Sequence, residues 1–207
     1  MLFFFRKLRS SRGDSVLVPA MISSILVIAL AGLVMDVSKN FAAKDTFSVM
    51  AQQSTNASVK TADHRGSLNW DVLPVIEKEY KEQKFGKEGT ADAVALSGRG
   101  GCNTAMIDLS GDGNRDTEVK LPYYKVTLET GRGVNSDPEH KRMVHFTEGQ
   151  TPHPPELSPG VKYTSVNVVV YDSVSNFVLS MVGMPCQTIE SNVSSITFGS
   201  MEDVLKD

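Results

Sequence analysis

Apolar positions along this chain follow three successive rhythms. From Ser15 to Met35 they are nearly continuous, and SVLVPAMISSILVIALAGLVM holds no charged residue. As a helix rising about 1.5 Å per residue, such a run is roughly 30 Å long, the thickness of bilayer hydrocarbon. Pro19 stands near its start, where a missing N–H costs least, and Ser23 and Ser24 can bond back to the helix backbone. The run predicts a membrane-spanning helix over 15–36.

The second rhythm is helical and amphipathic. DVSKNFAAKDTFSVMAQQSTNASVKTA contains no Gly or Pro, so the membrane helix is expected to continue as a stalk over 37–62. Val37, Phe41, Phe47, Met50, Ala51, Ser54 and Ala57 are expected on one stripe, opposite Lys39, Lys44 and Gln53. DHRGSLNW breaks it at Gly66, and 71–83 reads as a short amphipathic helix.

The third rhythm belongs to strands. Segments 104–109, 118–130, 141–147, 162–172, 177–183 and 194–198 are rich in Val, Thr, Tyr and Phe, and Gly, Pro, Asn and Asp clusters separate them. The apolar stretch 166–184 is interrupted by Asn167, Asp172, Ser173, Ser175 and Asn176, which predicts a hairpin turning at DSVSN rather than a second span. A proline-rich connection, TPHPPELSPG, occupies 151–160. The fold class is therefore α+β: a long N-terminal membrane-spanning helix continuing into a stalk, then a head over 63–207 with a mostly antiparallel sheet, a pilin-like architecture.

Charge orients this arrangement. Arg6, Lys7, Arg9 and Arg12 precede the span and Asp36 follows it, so the positive-inside rule puts residues 1–14 in the cytoplasm and the head outside. The rival is a signal peptide cleaved near Ala29-Leu30-Ala31, but the apolar stretch runs on past that point. A net charge of −3, from 21 basic and 24 acidic residues, argues against a nucleic-acid partner. The two cysteines, Cys102 and Cys186, are too far apart for a CxxC motif. In an oxidising exterior they most simply form one disulfide, with two unrelated buried thiols as the alternative.

The first sixty residues resemble the N-terminal segment of TadE/TadG-like proteins of tight-adherence (Flp-type) pilus assembly. The matching stretches are Arg12-Gly13, Val18-Pro19, AGLVMDVSKNFAAK from Ala31 to Lys44, and MAQQSTNAS from Met50 to Ser58. Prepilin-like members carry Glu at the fifth position after the Gly, which here is Val18, so the sequence sits nearer the TadG side, which keeps its anchor. The resemblance implies a non-enzymatic cell-membrane protein that meets other pilus or envelope-assembly subunits through its N-terminal helix. A surface adhesin or sensor domain unrelated to pili is the alternative.

IDLSGDGNRDTEV carries the one candidate site. An oxygen-ligated Ca²⁺ loop needs carboxylates or carbonyls at positions 1, 3, 5, 7 and 9 and a Gly at 6. Asp108, Ser110, Asp112, Asn114 and Asp116 fill those positions around Gly113. Position 12 is Val119, not the Glu of an EF-hand, so the expectation is a calcium loop between two strands. A bare polar turn whose carboxylates cap their own backbone is the competing reading. MIDLSGD also imitates a metal-dependent adhesion site, but GNRDTEVKLPYY is a poor continuation for one. No GxSxG, P-loop or HxxxH spacing points to an enzyme.

Overall fold

The computed structural model describes residues 14–86, 102–109, 113–131 and 138–197. Helix α1 (Asp14–Val59) is unbroken, and α2 (Val72–Phe85) follows after a turn at Gly66. Among the described residues there are six strands: β1 (Thr104–Ile107), β2 (Thr117–Lys120), β3 (Tyr123–Glu129), β4 (Arg142–Thr147), β5 (Ser165–Ser175) and β6 (Cys186–Ile196). β4, β3, β5 and β6 form one antiparallel sheet in that order, and β1 pairs with β2 in a separate hairpin. The architecture is α+β, as the pattern of apolar residues predicts.

Alternation along β5 sets the layers. Val166, Val168, Val170 and Val174 point to one face and are buried with Tyr124, Val126, Leu128, Val144 and Phe146 from the neighbouring strands. Both helices cover this face. α1 supplies Ala43, Phe47, Met50 and Ala51, and α2 supplies Val72, Leu73, Ile76 and Tyr80. Ser54, Thr55 and Ser58 are also buried on α1, and their hydroxyls donate to the carbonyls of Met50, Ala51 and Thr55. That back-bonding satisfies the hydroxyls and lets small polar residues lie against the sheet.

The opposite face carries Tyr123 and Tyr171, on which the β1–β2 hairpin packs Ala105, Ile107, Val119 and Leu121. Cys102, just before β1, is disulfide-bonded to Cys186, the first residue of β6, with Cα atoms 5.9 Å apart. The bond closes a sequence separation of 84, worth about 4.5 kcal/mol in the chain-entropy account.

Lys84 and Asp172 form a charged pair in the interior. Lys84 donates to both oxygens of Asp172 at 2.8 and 2.7 Å, and Asp172 also accepts from the Tyr80 hydroxyl and the Ser173 N–H. This pair fastens α2 to β5. Removing one partner from such a buried pair generally costs about 3–5 kcal/mol, because the other charge is left without compensation.

Several expected elements are corrected. The segment 118–130 is two strands, separated at Leu121 and Pro122, where the chain passes from the small hairpin to the large sheet. The hairpin does not turn at DSVSN: β5 continues to Ser175 and the turn spans 176–185. Residues 177–183 are not a strand but a loop with a 3₁₀ turn at Leu179–Val182. Of segment 194–198, residues 194–196 are the end of the long strand β6, and residue 198 lies outside the described residues. On α1, Val37 and Phe41 do not join the buried stripe; they are exposed, and Asp36 is buried instead.

Candidate functional site

Two places concentrate chemistry. The first is the β1–β2 hairpin with its acidic connection. Gly113 has φ of 88°, the left-handed backbone expected of the turn glycine, and its N–H donates to the Asp108 carboxylate at 2.7 Å. Asp116 accepts from the Thr117 hydroxyl at 3.0 Å. Asp108, Asn114 and Asp116 thus lie at the hairpin end, while Ser110 and Asp112, the third and fifth positions of the candidate calcium loop, fall outside the described residues. Among the described residues, no three His, Cys, Asp or Glu side chains converge as a metal set.

Beside the loop is a cleft of about 410 Å³, lined by Asp108, Arg115, Lys125, Tyr171 and Glu190 among others. Burial raises the Tyr171 phenol above its ordinary range; the carboxylates of Glu190 and Asp108 add to this, and Arg115 opposes them. Sequence reasoning overlooked Arg115. It occupies position 8 of the candidate loop, a position that contributes no ligand, yet it lines the same cleft as Asp108. On the neighbouring strand β4, burial and then the Lys125 charge hold the His145 imidazole below its usual pKa.

The second place is where α1 leaves its apolar run. From Val18 to Met35 almost every side chain is exposed, and the most apolar window of this helix buries nothing in the protein. The helix is long and apolar enough to be a candidate single-pass membrane anchor. Ser23 and Ser24 bond back to the Ala20 carbonyl as expected. At Asp36 the environment changes within one residue. Its carboxylate accepts from the N–H groups of Phe177, Val178 and Leu179 at 3.0, 2.7 and 3.0 Å, at the start of the 3₁₀ turn. Next to it, Lys39 donates to the Ser175 carbonyl at 2.9 Å, and Asn40 donates to Gln187 at 2.7 Å.

One turn back, a Cβ added to Gly32 would collide with the Val178 side chain. Glycine lets the β5–β6 tip approach the helix backbone here. The end of the apolar run of α1 and the tip of the β5–β6 hairpin are therefore one packed unit.

No protein family, characterised protein or solved structure matches this chain.

Proposed function

We propose that this chain is a membrane-anchored, non-enzymatic component of a Flp/Tad-type pilus or related envelope assembly. In this reading it holds an α+β head outside the membrane and meets other subunits through α1. The observation that carries it is the double use of α1: one unbroken helix offers an apolar surface to its surroundings over 18–35 and a core stripe to the sheet from Ala43 onward. A rigid helix joined to a head in this way transmits position from bilayer to exterior. The Cys102–Cys186 disulfide suits an oxidising exterior.

The test is removal of the chain from its source cell, with surface filaments counted by electron microscopy and restored by the full-length chain. Loss of filaments is the expected result. Normal filaments with loss of attachment alone would favour the adhesin reading.

Calcium at the acidic hairpin belongs to the same proposal, supported by the ligand spacing and by the Gly113-to-Asp108 closure of the turn. A cation bound only by the folded form adds RT ln(1 + [Ca²⁺]/Kd), about 2.7 kcal/mol at a hundredfold excess over Kd. Calcium in the millimolar range is expected to raise the melting temperature of the head by several degrees, and Asp112→Ala to abolish the rise. Identical melting curves with calcium and with chelator would return the loop to a polar turn.

A further inference from the structure

The loop at the tip of the β5–β6 hairpin combines three properties that seldom coincide on a water-facing surface. Its large apolar side chains point outward: Phe177 is 74% exposed, Met181 75% and Val182 69%, with Met184 beside them. The chain bears no charge from Ser173 to Ile189. Its backbone amides are nevertheless well occupied. Those of Phe177, Val178 and Leu179 donate to Asp36, and those of Asn176, Met181, Gly183 and Met184 donate to carbonyls within the loop. Even the Ser180 hydroxyl is turned inward onto the Phe177 carbonyl. Satisfied backbone beneath outward apolar side chains is what a lipid environment demands, because no water is there to take up a free N–H.

Its position selects the occupant. Val178 packs on Gly32, which lies inside the uncharged apolar run, four residues before Asp36. Along a helix that is about 6 Å below the first charge. Interfacial segments bury their apolar face about 5–10 Å into the headgroup and acyl boundary. We propose that residues 177–184 form a second membrane contact, a wedge seated in the outer-leaflet interface beside α1. The inference rests on the reading of α1 as a membrane anchor and extends it. With a helix and a loop both in the bilayer, the head is held against tilting relative to the membrane plane, so its far end stays directed outward.

The test places a nitroxide label on one added cysteine at a time, Ile28→Cys, Met181→Cys or Glu156→Cys. Each full-length chain is reconstituted in phosphatidylethanolamine/phosphatidylglycerol vesicles. All three sites are exposed, so the fold tolerates the substitutions. Collisions with oxygen, which partitions into lipid, are compared with those of a water-soluble nickel chelate. The expected result is that oxygen dominates at 28 and 181 while the nickel chelate dominates at 156. Nickel dominating at 181 but not at 28 would overturn the wedge and leave the anchor standing. A label at 181 hidden from both reagents, with spin–spin broadening that disappears on dilution with unlabelled chain, would assign the surface to a second copy and equally overturn the wedge. Nickel dominating at 28 would remove the anchor and the wedge together.

Discussion

The two halves of α1 share one backbone and solve opposite problems. Over 18–35 its apolar side chains, Ile25 and Ile28 among them, are exposed rather than buried within the protein. Over 43–58 its buried positions carry small or polar residues more often than large ones. The more apolar half is the less buried. Along α1, then, the more hydrophobic stretch is not the part buried within the protein. The boundary is set by Asp36, whose charge is met by three amides of the hairpin tip.

Large-to-small substitution separates the halves most sharply. Phe47 is 1% exposed in the core, and Phe47→Ala is expected to destabilise the head by about 3–5 kcal/mol, read as a loss of melting temperature. Ile28→Ala also removes apolar surface and is expected to leave head melting in detergent unchanged, since Ile28 is 71% exposed. Equal losses from both would mean that the two halves face the same environment.

The junction between the halves gives a smaller effect. Gly32→Ala forces a methyl group onto Val178 and is expected to cost about 1–3 kcal/mol, as overpacking does. The double variant Gly32→Ala/Val178→Ala is expected to recover most of that loss. A double variant no better than the single one would show that helix and tip do not touch.

Much of this contrast was legible in the sequence. The uncharged run predicts the apolar helix, the cysteine pair predicts the disulfide, and the strand-like texture after residue 104 predicts the antiparallel sheet. The misplaced parts share a physical cause. A search for apolar periodicity puts Val37 and Phe41 on the inward stripe of α1, yet the inward residue there is Asp36, with the half-covered Asn40 reaching Gln187. Their partners are backbone amides and a glutamine distant in sequence, which no local pattern reveals. Likewise FVLSMVG reads as a strand because outward apolar residues on a loop look, in one dimension, like inward residues on a sheet. The candidate calcium loop was visible as spacing, but Arg115 was not, because its role comes from the cleft it lines.

The smallest expected effect is a pH dependence confined to the head. The folded His145 holds its proton less tightly than the ordinary value of 6.5, chiefly because burial disfavours the charged ring. The unfolded chain therefore protonates first, so this contribution to stability is complete above pH 6.5 and is lost as pH falls through the folded value. Asp63 acts in a lower window: hydrogen bonds from the N–H groups of Ser67 and Arg65 depress its pKa, and its contribution disappears below about 3.8. Melting temperatures measured from pH 7.5 to 5 are expected to decline gently, and His145→Gln is expected to flatten that decline. An identical slope in the variant would place the titrating group elsewhere.

The claim that α1 is a retained anchor with its head outside is tested most directly by protease applied to intact spheroplasts, with the protected material weighed by mass spectrometry. The account predicts that the head is digested and that an N-terminal fragment, covering the run from Ser15 to Met35, survives in the membrane. A soluble, intact protein beginning at Gly32 would contradict it.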